Sequence, residues 1–194
     1  STGALNMAKR GAKYRKIKNV NFKKGDVYKL PFKDNSFDVV FNKGVIEHFY
    51  NYQEIIDEMT RVTKKGGKVV IAVPNKYNII HPIAYFIQKN ILKTYPYGME
   101  IMFTPKKLKI GFITSGLINL EQDGLNTFYR LAKLINSKNI FLEGIQYFLR
   151  VISIILHYII TKPLDYLFKH QFSRYFGWEI VVKGEKLESI LYRK

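Results

Sequence analysis

Cysteine is absent from the 194 residues, which excludes disulfides, thiolate metal sites and cysteine nucleophiles, and fits an intracellular, cytoplasmic chain. Acidic residues are scarce too: 15 Asp and Glu stand against 32 Lys and Arg, for a formal charge of +17. That surplus points to anionic partners, among them nucleic acid, phosphorylated substrates and acidic lipid headgroups, without choosing between them. The lysines are spread along the chain and form no single tract, so a general bias toward Lys, Ile, Asn and Tyr, from codon usage or adaptation to heat, explains the charge equally well. Ser1-Thr2-Gly3-Ala4-Leu5 carries no apolar core of a signal peptide, and we expect no targeting segment there. Repeats and low-complexity tracts are lacking as well. What the chain does have is core material, 47% hydrophobic residues and 15% aromatics, enough for one folded domain.

The apolar periodicity predicts a helix from a Ser1 or Thr2 cap to about Tyr14, with basic residues on its solvent side. Asn19-Val20-Asn21-Phe22 alternates as a short strand ending at Gly25-Asp26, and a turn-rich loop follows through Leu30-Pro31-Phe32 and Asp34-Asn35-Ser36. Phe37 to Phe41 reads as a buried strand. Gly44 to Phe49 forms a loop, and Tyr52 to Thr63 a helix with Ile55, Ile56, Met59 and Val62 on one face. Lys64-Lys65-Gly66-Gly67 reads as that helix's C-terminus, before an apolar strand, Lys68 to Val73, stopped by Pro74-Asn75. Strand, helix and strand with such short connections make a βαβ unit, which requires a parallel sheet covered by helices.

Beyond it, Thr104-Pro105 caps a helix reaching about Thr114, Gly116 closes it, and Leu117 to Leu120 can form a strand. From Ile140 to Thr161, polar residues recur every three or four positions and leave a wide apolar face, the pattern of one long amphipathic helix. Its uncharged part, Val151 to Thr161, is too short for a membrane span of roughly 20 residues. We expect it to cover a pocket as a lid, the alternative being a place in the bilayer interface with Arg150 and Lys162 near headgroups. Gly177 to Gly184 reads as a strand, and Leu187 to Tyr192 as another or its continuation.

In an open parallel sheet, ligands bind beyond the carboxyl ends of the strands. Two clusters fall there. Asp26 can accept from an exocyclic amine while the Val27 N–H donates to a ring nitrogen, a pairing that suits adenine; taken alone, a Gly-Asp pair is as readily a capped turn. Asn42-Lys43-Gly44 is followed by Glu47 and His48, a carboxylate and an imidazole suited to acid–base work beside a glycine that admits close backbone approach. By themselves, Glu47 and His48 read as helix-start electrostatics and a hydrogen-bonded histidine. Tyr77 and His81, after Pro74-Asn75, open on the same strand ends.

Together the motifs carry more. Gly25-Asp26-Val27-Tyr28-Lys29-Leu30-Pro31-Phe32 with Ser36-Phe37-Asp38-Val39-Val40, then Gly44-Val45-Ile46-Glu47-His48-Phe49, then Glu58-Met59-Thr60-Arg61-Val62 and Lys65-Gly66-Gly67 resemble, in order and spacing, the class I small-molecule methyltransferases that use S-adenosylmethionine. The resemblance implies an α/β, Rossmann-like sheet, with Asp26 on the adenine amino group, Val27 on the ring edge, and the Asn42, Lys43, Gly44 turn at the methionine end of the cofactor. Gly66-Gly67 would be the turn before the next strand. More loosely, Thr104 to Leu108 resembles the helix before the family's sixth strand, and Tyr175 to Val182 its last strand. Residues 1–124 would then be a partial cofactor-binding core, 125–174 a helical lid or insertion, and 175–194 the returning strand or strands.

The family's first strand, its glycine-rich loop and the acidic residue ending the second strand have no counterpart in these residues. Residues 1–14 register best as the helix after the second strand, so we expect the sheet to be N-terminally truncated. Without its central neighbour, the strand at Phe37 to Phe41 would be an open edge. We therefore expect an altered sheet, strands supplied by a partner or a swapped homo-oligomer, and weak binding of S-adenosylmethionine by this chain alone. The implied activity is methyl transfer to a small or lipid-like acceptor, with Glu47 and His48 as candidate catalytic residues and no metal. The other reading is a non-catalytic methyltransferase-like module on a partner or an anionic membrane surface. A nucleic-acid substrate is less favoured, because no aromatic-basic recognition motif stands out.

Overall fold

The computed structural model describes residues 2–78, 80–91, 93, 98–125, 140–169 and 171–187. Its centre is a four-stranded sheet in the order β1-β2-β4-β3, with β1 at Phe37–Lys43, β2 at Thr63–Pro74, β3 at Leu117–Leu125 and β4 at Glu179–Lys186. β1 and β2 are parallel, and the crossover between them contains helix α2, Tyr52–Val62, which is the expected βαβ unit. β4 returns antiparallel to both β2 and β3, so that Glu179 stands opposite Pro74 on one side and Leu125 on the other. One end of the sheet thus gathers Lys43, Pro74, Leu125 and Glu179.

The core lies on one face of this sheet. α2 buries Ile55, Ile56 and Met59 against Val69, Ile71 and Val73 of β2 and Ile180 and Val182 of β4. Helix α4, Pro105–Thr114, adds Leu108 and Phe112 to the same cluster. Its start follows from the sequence: Thr104 Oγ1 accepts from the Lys107 N–H at 3.1 Å, and Pro105 occupies the first turn, where no N–H is needed. Gly116, at φ +76°, turns the chain into β3. Helix α1, Thr2–Tyr14, forms where the periodicity places it, with no buried residue.

Four expectations are corrected. Asn19 to Phe22 runs without forming a strand, because no strand among the described residues offers it a ladder of hydrogen bonds. Lys64 to Gly67 is not a helix end: α2 stops at Val62, the Thr63 N–H donates to Met59 O, and β2 begins at once. Gly66, at φ +72°, and Gly67 instead form a bulge, since Phe37 pairs with Thr63 but Val39 already with Lys68. A Cβ on Gly67 would lie 2.8 Å from Asp38 O, which is why glycine stands there. β1 is half-buried through Phe37, Val40 and Asn42, whereas Val39 and Phe41 are exposed, with no described element over them.

The fourth concerns the long helix. Rather than ending at Thr161, it continues as α5 (Ile140–Leu156), a π turn (His157–Thr161) and α6 (Lys162–Leu167). The Lys162 N–H reaches back five residues to His157 O. This widened turn immediately precedes Pro163, which has no N–H to give. Residues Tyr147–Leu167 are long and apolar enough, by length and composition, to cross a membrane. A short helix α7, Gln171–Phe176, leads into β4. Part of the expected lid, residues 126–139, and the expected strand beyond Leu187 lie outside the described residues.

Candidate functional site

The loop bearing Asp26 is clamped to α2 by a side-chain network. Glu58 Oε1 accepts from the Leu30 N–H at 2.6 Å and from Arg61 Nη2 at 2.8 Å, and Glu58 Oε2 accepts from Arg61 Nε at 2.7 Å. The same guanidinium donates to the Phe32 carbonyl at 3.0 Å and pairs with Asp34. The Arg61 fork, helped by the Leu30 N–H, holds the Glu58 carboxyl below the usual carboxylate range against the opposing effect of its burial.

Within this loop Asp26 is exposed, and its Oδ1 accepts from the Tyr28 N–H at 3.0 Å, the capped turn that a Gly-Asp pair favours. Val27 and Tyr28 pack against the core, and Tyr28 meets Phe49 edge-to-face at 5.5 Å between ring centroids. The loop bearing Asp26 and Val27 therefore meets the loop after β1 through Tyr28 and Phe49.

That second loop leaves the end of β1. Asn42 and Lys43 are its last residues, and Lys43 Nζ bridges to Glu179 Oε2 at 2.9 Å across the sheet end. The Asn42 Oδ1 is buried without a hydrogen-bond partner. Gly44, at φ +68°, turns the chain while its N–H donates to Ala72 O at 3.1 Å. Ile46–His48 then forms one 3₁₀ turn, with Ile46 and Glu47 buried and His48 half-buried. His48 Nδ1 lies 2.8 Å from Met99 O. A carbonyl only accepts, so Nδ1 carries a proton and donates it, which makes Nε2 the nitrogen that can gain or lose one. Glu47 Oε1 stands 3.9 Å from that Nε2.

At the end of β2 the backbone is held by two asparagines. Asn75 Nδ2 donates to Tyr175 O at 2.7 Å and Gly177 O at 2.9 Å, while its Oδ1 takes the Tyr77 N–H. Asn78 Oδ1 takes the N–H groups of Ile80 and His81, capping helix α3 (Ile80–Phe86), and its Nδ2 donates to Phe176 O at 2.8 Å. His81 is buried, with Nε2 2.8 Å from Glu100 Oε1 and its ring 4.4 Å from that of Trp178.

So Asn42, Lys43, Gly44, Glu47 and His48 converge, Asp26 and Val27 join them through Tyr28 and Phe49, and His81 forms a second carboxylate–imidazole pair tied in by residues 99–101. The Ile101 N–H donates to Glu47 O at 2.7 Å, completing that tie. Tyr77 stays exposed. Neither Glu100 nor the Glu58–Arg61 clamp is marked by sequence pattern, because a carboxylate acquires such a role only when folding sets it beside its partner. Among the described residues no three His, Asp or Glu side chains gather to hold a metal ion.

Residues 1–133 match the family described as a methyltransferase domain, which is more than half of the chain. The chain belongs to that family. Among sequence relatives, an uncharacterized methyltransferase of Schizosaccharomyces pombe is 46% identical over 57 residues, 29% of this chain and 20% of that protein. A demethylmenaquinone methyltransferase of Alkalihalophilus pseudofirmus is 37% identical over 70 residues, 36% of this chain and 30% of that protein. Such matches span about a third or less of the relatives' own length. Among solved structures, a methyltransferase-like protein of Bacillus halodurans aligns with TM-score 0.59 at 17% identity, over 96% of this chain and 80% of that one. A S-adenosylmethionine-dependent methyltransferase of Thermotoga maritima, described as a possible histamine N-methyltransferase, aligns with TM-score 0.55 at 17% identity, over 91% and 69%. The methyltransferase domain thus has the Rossmann-like class I fold, with Asn42, Lys43 and Gly44 at the carboxyl end of β1.

Proposed function

We propose that this domain serves methyl transfer from S-adenosylmethionine to an oxygen, nitrogen or carbon nucleophile on a small, lipid-like acceptor. The observation that carries this reading is the convergence, at one sheet end, of the Asp26–Val27 pair, the Gly44 turn and the Glu47–His48 pair. The relatives named demethylmenaquinone methyltransferases support a lipid-like acceptor.

The residues present suit the cofactor. Asn42 Oδ1, buried with no hydrogen-bond partner, is placed to accept from an ammonium group. Asp26 and the Val27 N–H suit the edge of an adenine, and Gly44 lets backbone approach the chain between the two. When bound, S-adenosylmethionine supplies a methyl group activated by its sulfonium charge. With Nδ1 donating to the Met99 carbonyl, the neutral form of His48 takes a proton at Nε2 from the acceptor where its nucleophile needs to lose one. Glu47, 3.9 Å away, steadies the resulting imidazolium. Everything else is positioning, through which Glu58 and Arg61 act on the Asp26 loop.

Calorimetric titration with S-adenosylhomocysteine tests the binding half. Asn42→Ala and Asp26→Ala should each weaken it about tenfold or more, equivalent to about 1.4 kcal/mol. His48→Gln should leave that affinity nearly unchanged and lower transfer of labelled methyl to a demethylated quinol about 100-fold. Affinity indifferent to both substitutions, or undiminished transfer by His48→Gln, overturns the assignment.

A further inference from the structure

The helix formed by α5, the π turn and α6 carries large apolar side chains on its exposed side as well as on its covered one. Its hydroxyl residues Ser153 and Thr161 are buried, at 7% and 0% exposure, whereas Tyr147, Phe148, Ile154, Ile155, Tyr158 and Ile159 stand 47% to 68% exposed. A helix covering a core does the reverse. Positions 154, 155, 158 and 159 make one stripe, and Tyr166 and Leu167 extend the exposed apolar surface to the end of α6. A contiguous apolar stripe of this kind on a protein surface marks a place where something binds.

Charge says what. Between residues 147 and 169 the chain has Arg150, Lys162 and Lys169 but one carboxylate, Asp165. That carboxylate is engaged within the fold, its Oδ1 accepting from the Ser173 N–H at 2.8 Å and the Ser173 hydroxyl at 2.9 Å. Arg150 and Lys162 are exposed, and Lys162 Nζ lies 4.5 Å over the Tyr158 ring, at the border of the apolar stripe. Aromatic and aliphatic side chains flanked by unopposed cations match an acyl layer bounded by anionic headgroups.

We propose that this helix seats the chain flat on an anionic lipid bilayer. Length and composition would also permit a span, but Ser153 and Thr161 are buried within the chain and are not available to lipid. The far end is anchored as well: Asp165 binds α7, and the last two residues of α7 accept from Asn75 and Asn78, just past the end of β2. A helix held along one side has only its other side to give to lipid. The surface stands on its own observations and does not rest on methyl transfer.

Vesicle flotation of the 194-residue chain tests it, with phosphatidylcholine vesicles and with vesicles that also contain phosphatidylglycerol. The chain should float with the anionic vesicles, and added salt should weaken that binding. Ile154→Asp/Ile159→Asp and Arg150→Glu/Lys162→Glu should each reduce it about tenfold or more. All four side chains are exposed, so circular dichroism should be unchanged; Ile154→Ser/Ile159→Ser serves where the aspartates disturb folding. The proposal is overturned by an absence of flotation with anionic vesicles, or by flotation that the apolar substitutions leave intact. It is also overturned if the vesicle-bound chain resists alkaline carbonate extraction, which identifies a span. A dimer that the Ile154→Asp/Ile159→Asp variant loses, without vesicle binding, overturns it in favour of a second copy.

Discussion

The β1–α2–β2 unit and the helix over residues 140–167 draw on the same aliphatic residues and use them in opposite ways. In the first, Ile55, Ile56 and Ile71 are removed from water and packed together; each such side chain contributes about 1.5–3 kcal/mol relative to an exposed one. In the second, Ile154 and Ile159 face outward while Ser153 and Thr161 face in. Apolar content alone therefore does not tell stability from surface chemistry. The difference lies in whether the rest of the chain supplies a covering face.

The largest expected effect separates the two directly. Ile71→Ala should cost about 2–5 kcal/mol in urea denaturation, because a fully buried aliphatic leaves a cavity between α2 and β4. Ile159→Ala, truncating an exposed residue, should change stability by less than about 0.5 kcal/mol. Similar costs at the two positions would mean that the helix is covered in solution. Next in size is Asn75→Ala, about 2–3 kcal/mol, since it strips partners from the buried carbonyl of Gly177 and the part-buried carbonyl of Tyr175. Trp178, next to this junction and the chain's one tryptophan, reports the loosening by fluorescence. That substitution also removes one of the ties between α7 and the sheet end, so it should disturb both regions where Ile71→Ala disturbs one.

Much of this contrast was open to reading from local pattern, and the limits have physical causes. The spacing of Ile55, Ile56, Met59 and Val62 encodes the buried face of α2, and Thr104-Pro105 and Gly116 mark both ends of α4, because caps and periodicity are local effects. Gly66-Gly67 misleads for the same reason: glycine after lysines satisfies a helix C-terminus and a strand bulge alike, and only the pairing with β1 distinguishes them. Phe37 to Phe41 reads as buried on both faces, yet what lies over Val39 and Phe41 is decided by distant residues. At the candidate site, Gly44, Glu47 and His48 stood together in sequence and remain together in space. The partner of His81, Glu100, lies nineteen positions away, and the Glu58–Arg61 clamp becomes a device for holding the Asp26 loop only once α2 packs beside it.

The smallest effect concerns that clamp and is read through pH. Hydrogen bonds from Arg61 hold the Glu58 carboxyl below its ordinary range. The unfolded chain therefore binds the proton more readily than the folded one, and stability rises with pH across the interval between the two values. The contribution is complete above the unfolded value and disappears as pH falls through the folded one. Glu58→Gln should thus lower stability by about 1–2 kcal/mol near neutrality and flatten the acid limb of the stability curve. Denaturation midpoints at about pH 7 and about pH 4 should converge between wild type and variant. Because the clamp holds the loop from Asp26 to Asp34 and does not touch the helix over 140–167, vesicle binding by Glu58→Gln should match wild type. A parallel loss would show that the two regions are one cooperative unit.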